Sequence, residues 1–198
     1  MKKYAILFLC FGFLAANATS WRVNNNTAID ADFSDLTTAI DAANEGDTLY
    51  IEGTQFSYGN IVLNKKLVLI GPGYFLDQND STQVIYNPAE LDMLEVDQSA
   101  MGCEIYGLYI DGSIDINANN VIFARNYSDY LTTSEHFILG NVSNCVITQN
   151  YLYRLNAYGD ALNILITNNY IHGHLNLSDD CSATIFNNVV GREITAYN

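Results

Sequence analysis

Asp111 and Asp129 are the first candidates for chemistry in this chain. They occupy equivalent positions in two consecutive units of the repeat described below, where neighbouring parallel strands would hold them about 5 Å apart. This separation is compatible with a Ca²⁺ site or with the paired carboxylates of a retaining glycoside hydrolase. His172 takes the same position two units later, and Arg154 lies one position further along its own unit. These four are candidate catalytic residues and the aspartates are candidate metal ligands; alternatively, the aspartates are solvated turn residues and the arginine pairs with a carboxylate.

Tyrosines form the most regular outward pattern. A tyrosine directly follows the anchor position of the repeat at Tyr109, Tyr127, Tyr151 and Tyr170. If these side chains point outward, they form a flat strip whose ring faces and hydroxyls suit a sugar ligand. The alternative is that the stacked rings only stiffen the repeat.

An insertion offers a further pair of candidates. One repeat unit is 24 residues long, whereas the others have 18 or 19, and the extra residues fit best at 131–136. A loop that projects from a rigid stack is a common place for function. Glu135 and His136 in this loop are therefore candidate ligand-binding residues, with acid/base or metal-ligand chemistry open to them.

The repeat that carries these residues is anchored on asparagine. The anchor positions are Leu108, Asn126, Asn150, Asn169 and Asn188. Apolar residues recur three and five positions before the anchor and two positions after it. The alternation before the anchor predicts a short strand with one buried face, and the change of phase predicts a bend and a second short strand. A third strand per unit is predicted over 113–117, 137–140, 174–177 and 193–196.

Such a unit cannot bury its own apolar face, so the units must stack at about 4.8 Å per coil. The predicted fold is all-β, a single-stranded right-handed parallel β-helix. An isolated inward asparagine would cost about 1–3 kcal/mol, but stacked asparagines satisfy one another as a ladder. A second asparagine column, Asn120, Asn144 and Asn163, has the same interpretation. Both columns are expected to be scaffold.

Two cysteines are predicted to belong to the core. Cys103 and Cys145 share an inward column two coils apart, about 10 Å, which is too far for a disulfide. We expect both to act as small buried hydrophobes.

The chain begins with a predicted export signal. Lys2 and Lys3, the apolar run 4–15 and an A-x-A motif predict cleavage after Ala18. The apolar run is too short to span a bilayer, and the mature β-helix domain, 19–198, is expected to have no membrane span. A capping helix is predicted over 32–43, with Asp32 as its N-cap and an apolar stripe that plugs the first coil.

The segment DFSDLTTAIDAANEGDTLYIEGTQFSYGNIVLNKKLVLIGPG, residues 32–73, resembles the N-terminal part of the pectin lyase-like superfamily of secreted right-handed β-helices. The resemblance rests on a capping helix that ends in the Gly46-Asp47 turn, a strand that contains Tyr50, and the Lys-to-Gly rung 66–71. It implies an uncharacterised type of bacterial envelope protein, secreted or at the cell surface, from a class that often acts on carbohydrate.

The catalytic signatures of that superfamily are not matched. Neither Pro72 nor Pro88 is flanked by the arginines of pectate lyases. Gly173-His174 and Asp179-Asp180 are similar to two polygalacturonase elements, but their order is reversed and the other two elements are missing.

The charge of the chain limits its partners. Loss of Lys2 and Lys3 with the signal takes the net charge from −14 to −16, which excludes nucleic acid and disfavours polyanionic glycans unless Ca²⁺ bridges the carboxylates. We therefore expect a secreted β-helix that binds glycan along an exterior face. The alternatives are a polysaccharide lyase or glycoside hydrolase, and a structural or adhesive solenoid. The last predicted coil, 193–196, has no cap, which predicts end-to-end association or a sequence that continues.

Overall fold

The computed structural model describes residues 18–78, 86–128, 137–178 and 180–196. Residues 1–17 of the predicted signal lie outside these ranges. So do Asp129, Glu135, His136 and Asp179. What the sequence indicates for those residues stays a prediction.

Within the described residues, 21 short strands form three parallel sheets. Sheet I contains β1 (Ser20–Val23), β2 (Thr48–Ile51), β4 (Val68–Ile70), β7 (Glu104–Tyr106), β10 (Ile122–Ala124), β13 (Val146–Thr148), β16 (Ile164–Thr167) and β19 (Ala183–Phe186). Sheet II contains β5 (Glu90–Leu91), β8 (Tyr109–Ile110), β11 (Tyr127–Ser128), β14 (Tyr151–Leu152), β17 (Tyr170–Ile171) and β20 (Val189–Val190). Sheet III contains β3 (Asn60–Leu63), β6 (Met93–Val96), β9 (Ile114–Ile116), β12 (Phe137–Leu139), β15 (Leu155–Ala157), β18 (Leu175–Leu177) and β21 (Ile194–Ala196).

From β4 onward, strands of sheets I, II and III generally follow one another along the chain, so that about seven coils stack as a parallel β-solenoid. This confirms the predicted fold class. The register also agrees with the repeat, because Ile105, Phe123, Ile147 and Ile166 are aligned across neighbouring strands of sheet I. All four side chains are fully buried. The core therefore runs along the axis of the solenoid as stacked apolar columns.

A left-handed backbone produces the bend between sheets I and II. The residue just before each anchor has a φ between 55° and 66°, a conformation that most residues adopt rarely. These residues are Gly107, Arg125, Gln149, Asn168 and Asn187. The second asparagine column, Asn120, Asn144 and Asn163, also has positive φ. Asparagine tolerates this region better than most residues, so this column turns the chain into sheet I.

The capping helix is shorter than predicted. Helix α1 comprises Leu36–Ala42, and its N-cap is Asp35, whose carboxylate accepts a hydrogen bond from the backbone N–H of Thr38 at 2.7 Å. The prediction of Asp32 as N-cap was wrong, because that carboxylate accepts the backbone N–H of Arg22 at 2.7 Å instead. The predicted apolar stripe of the helix is buried, and the helix contacts β1, β2 and β3 of the first coils.

In one coil the third strand, β15, was not predicted. Leu152 is aligned with Ile171 and Leu155 with Leu175, so the turn before β15 is one residue shorter than the turn in the next coil. This deletion hides the strand from a fixed repeat period.

No helix among the described residues has the length and apolarity needed to cross a membrane.

Candidate functional site

The anchor asparagines form a continuous ladder inside the solenoid. The backbone N–H groups of Asn126, Asn150 and Asn169 each donate to the Oδ1 atom of the asparagine in the following coil, at 2.8–2.9 Å. Each Nδ2 atom also donates to a buried carbonyl of sheet I in the preceding coil, at 2.8–3.0 Å. The three side chains are almost fully buried. Every ladder amide thus replaces lost water contacts with protein contacts, and the scaffold role is confirmed.

The core cysteines also behave as predicted. Cys103 and Cys145 are free thiols with no exposed surface. Burial raises the pKa of the Cys103 thiol to about 11. Burial also raises the pKa of Cys145.

The tyrosine column exists, but it is not the flat open strip that the sequence suggested. The ring centroids of Tyr127, Tyr151 and Tyr170 follow one another at 5.0 and 4.8 Å, with interplanar angles of 34° and 25°. Because the rings lie over one another along the axis, much of each ring face is used in contacts with the next ring. The ring faces of the column are therefore partly occupied by neighbouring rings, whereas Tyr170 is 41% exposed.

An arm formed by residues 71–76 lies across this column, and nothing in the repeat pattern predicted it. Phe75 packs edge-on against Tyr127 and Tyr151, with centroid distances of 5.3 and 5.4 Å. Tyr74 contacts Tyr127 at 5.9 Å and donates its hydroxyl to the carbonyl of Gln149 at 3.3 Å. Phe75 has a φ of 54°, which is rare for a bulky residue. Its aromatic contacts are therefore what hold the arm in this conformation.

The arm leaves its coil at a point of close backbone contact. A Cβ atom on Gly71 would come within 2.4 Å of the carbonyl oxygen of Gly107, and the Gly73 N–H donates to that same oxygen at 2.9 Å. Only glycine fits at position 71, because any side chain would collide with the backbone of the next coil. The start of the arm is thus fixed against the solenoid.

The arm and the tyrosine column enclose an aromatic cavity of about 350 Å³. Its lining residues are Tyr74, Phe75, Leu76, Tyr86, Pro88, Tyr109 and Tyr127. Tyr86 is 47% exposed, so part of this residue faces solvent at the cavity. A concave, mostly aromatic site with phenolic hydroxyls is suited to a small ligand that has both apolar and hydroxyl-bearing faces.

Two carboxylates neighbour Tyr109, one of the residues that line the aromatic cavity. Glu90 is aligned with Tyr109 in sheet II, and the Tyr109 hydroxyl donates to Asp111 at 2.8 Å. Burial, together with the nearby charges of Asp111 and Asp92, raises the pKa of the Glu90 carboxyl. Burial and the hydrogen bond to Asp111 raise the pKa of the Tyr109 hydroxyl. One lining tyrosine of the cavity is thus hydrogen-bonded to a carboxylate, and a second carboxylate lies beside it in sheet II.

The structure does not bring the described catalytic candidates together. Asp111 directly follows β8 and His172 directly follows β17, so they are three coils, or about 14 Å, apart. Arg154 lies between them, with its guanidinium 5.9 Å from the ring centre of Tyr153. Tyr153 in turn contacts the His172 ring edge-on at 5.8 Å. Among the residues that the structure describes, no group of three or more His, Cys, Asp or Glu side chains is arranged to hold a metal ion.

Comparisons of the chain with protein-family models, with curated proteins and with solved structures found no match. The fold and the geometry of the cavity therefore carry the functional argument.

Proposed function

We propose that this protein is an exported β-solenoid that binds neutral glycan in the aromatic cavity between the arm and the tyrosine column. The observation that carries the proposal is the cavity itself, whose lining is mostly aromatic and includes Tyr109, the donor of a hydrogen bond to Asp111. Sugar rings have an apolar face that packs on aromatic rings and hydroxyls that hydrogen-bond to phenols and carboxylates. The cavity offers both kinds of contact.

The charge of the protein supports a neutral ligand. The chain has a net charge of −14, and Glu90 and Asp111 stand beside the cavity. An anionic polysaccharide would be repelled by this field. The export signal and the resemblance to pectin lyase-like proteins agree with a ligand outside the cell, and both remain part of the proposal.

Binding without turnover is favoured over glycan cleavage. General acid–base chemistry requires the reacting groups to meet at one bond, and Asp111 and His172 are three coils apart. The stacking of Tyr127, Tyr151 and Tyr170 favours a second candidate, a purely structural solenoid. The experiment below separates the two functions.

The test compares two single substitutions on an array of neutral glycans. Tyr86→Ala removes one aromatic lining residue of the cavity, whereas Phe186→Ala removes an exposed aromatic residue (54% exposed) that lines none of the described cavities. Loss of one aromatic contact should weaken binding about tenfold for Tyr86→Ala and leave Phe186→Ala unchanged. If the Tyr86→Ala protein keeps the full binding profile, the aromatic cavity is not the glycan site. If the unsubstituted protein binds no glycan, the structural function is favoured.

A further inference from the structure

A second cavity, of about 360 Å³, lies over the first coils. It shares no lining residue with the aromatic cavity and is lined mainly by polar side chains. The lining includes Asn24, Glu52, Thr54, Gln55, Phe56 and Asn87. Nothing in the repeat pattern indicates this site, because it is built from the loops around β1 and after β2.

Phe56 is an exposed ring on a fixed backbone. The Nδ2 atom of Asn25 donates to the carbonyls of Phe56 and Ser57, both at 3.0 Å. The Thr54 hydroxyl lies 2.5 Å from Asn25 Oδ1 and 2.8 Å from the Phe56 carbonyl, and it accepts the Phe56 N–H at 3.3 Å. Despite these bonds to its main chain, Phe56 is 62% exposed. The loop thus holds an aromatic ring open to solvent with little freedom to lose on binding.

The polar floor of this cavity is also held in place. Glu52 accepts Arg22 Nε at 2.7 Å through Oε1 and Asn24 Nδ2 at 2.7 Å through Oε2. The Oδ1 atom of Asn24 accepts the backbone N–H of Asn26 at 2.9 Å. Asn24 is only 3% exposed, so its amide orients the carboxylate from below. Gln55 and Asn87 add carboxamides at the rim.

These contacts disfavour the other ligand classes. Each Glu52 oxygen accepts one hydrogen bond, and the carboxylate forms an ion pair with Arg22, so this pair has no net charge to attract a cation or an anion. A peptide strand cannot add at this point of β1, because the Asn24 N–H donates to Phe33 O and the Arg22 carbonyl accepts the Phe33 N–H. A neutral ligand with hydroxyls and an apolar face fits the remaining chemistry: one open ring, two carboxamides and a partly used carboxylate.

We propose that the Phe56 cavity is a second, independent saccharide-binding site, so that one chain can hold two neutral glycan segments at once. Phe56 supplies the stacking surface, and Glu52, Gln55 and Asn87 supply the hydrogen-bonding groups. The site stands on its own contacts and does not depend on ligand binding in the aromatic cavity. An adjoining cavity of about 280 Å³ shares Glu52 and Asn87 and adds the 45%-exposed ring of Tyr50, which extends the same site.

The test uses protein in which phenylalanine is replaced by 4-fluorophenylalanine, with the Phe56 signal identified by its absence in Phe56→Ala. Neutral tetrasaccharides of glucose, mannose and galactose are titrated while fluorine spectra are recorded. We expect at least one of them to shift the Phe56 signal, and Phe56→Ala to weaken its binding at this site about tenfold in calorimetry. Tyr86→Ala and Phe186→Ala should leave the Phe56 shift unchanged.

The outcomes distinguish the two sites. If no tetrasaccharide shifts the Phe56 signal, or if Phe56→Ala binds as tightly as the unsubstituted protein, the second site is refuted. If only Tyr86→Ala loses glycan binding, the Phe56 site is refuted and the aromatic cavity is supported. If only Phe56→Ala loses glycan binding, the aromatic cavity is refuted and the Phe56 site is supported. If Phe56→Ala lowers the melting temperature, the glycan affinity of Gln55→Ala is measured instead. An affinity equal to that of the unsubstituted protein also refutes the Phe56 site.

Discussion

Asn150→Ala should weaken the solenoid more than almost any other single asparagine substitution. The Oδ1 atom of Asn150 accepts the backbone N–H of Asn126 at 2.9 Å, and its Nδ2 atom donates to the Phe123 carbonyl at 2.9 Å. Asn150 also donates to Asn169 Oδ1 at 3.0 Å, and it is only 1% exposed. Alanine removes all of these contacts where water has little access.

The magnitude follows from the groups that remain. The Asn126 N–H would be buried without a partner, which costs about 1–3 kcal/mol, and the Phe123 carbonyl would lose one of its donors, which costs about 1 kcal/mol. We therefore expect the free energy of unfolding to fall by about 3 kcal/mol, within a range of about 2–4 kcal/mol. Asn176→Ala is the matched control. It removes one side-chain bond, from Asn176 Nδ2 to Asn156 Oδ1, and should cost about 1 kcal/mol.

Urea unfolding measures this difference. Far-ultraviolet circular dichroism and the fluorescence of Trp21, the single tryptophan, should give coincident transitions if the solenoid unfolds as one unit. The midpoint should then fall at an unchanged m-value. A loss of less than about 1 kcal/mol in Asn150→Ala, or equal losses in both variants, would refute the reasoning that the ladder satisfies buried backbone groups.

Three further predictions concern ionisable groups. Burial raises the pKa of Asp47, but hydrogen bonds from two backbone N–H groups and an indole N–H outweigh this effect and hold the pKa below its usual value. The ionised Asp47 therefore stabilises the fold above about pH 4, and this stabilisation is lost as the pH falls through the lowered pKa. Asp47→Asn should remove that part of the acid dependence in urea titrations. The raised pKa of Glu90 has the opposite sign, because burial and the neighbouring carboxylates Asp111 and Asp92 make its charged form less favourable in the folded chain than in the unfolded one. Glu90→Gln should therefore raise the unfolding midpoint at pH 7 and have little effect at pH 3, and equal effects at both values would contradict this. In alkylation at pH 8 followed by mass spectrometry, the half-buried Cys181 should react before Cys103 and Cys145, and equal rates in the folded protein would show that the two core thiols are accessible.

Periodicity decided how much of the structure could be predicted. The anchor asparagines, the inward columns and the two core cysteines recur at a nearly fixed spacing, so their register followed from the sequence. The position of the helix start did not, because Asp32 and Asp35 are equally good caps by residue type. The distant backbone N–H of Arg22 takes the first of them and leaves the second to the helix.

The two proposed binding sites lie where the repeat is interrupted. Tyr74, Phe75 and Tyr86 belong to a long connection between β4 and β5 that has no period, so nothing in the sequence placed them against the tyrosine column. The outward direction of that column was predicted, but the mutual stacking of its rings depends on side-chain torsions that spacing does not determine. Phe56 was not predicted for the same reason, because its proposed role depends on hydrogen bonds that the Phe56 carbonyl accepts from Asn25 and Thr54.

The most direct test of the central claim locates a bound glycan on the protein. Protein labelled with 3-fluorotyrosine is titrated with the neutral glycan that binds most tightly on the array, and each tyrosine signal is assigned by substitution. If the aromatic cavity is the site, the Tyr86 and Tyr109 signals shift with one common affinity, while the signal of Tyr170, which does not line the cavity, stays in place. Shifts confined to Tyr170, or no tyrosine shift at saturating glycan, would contradict the account.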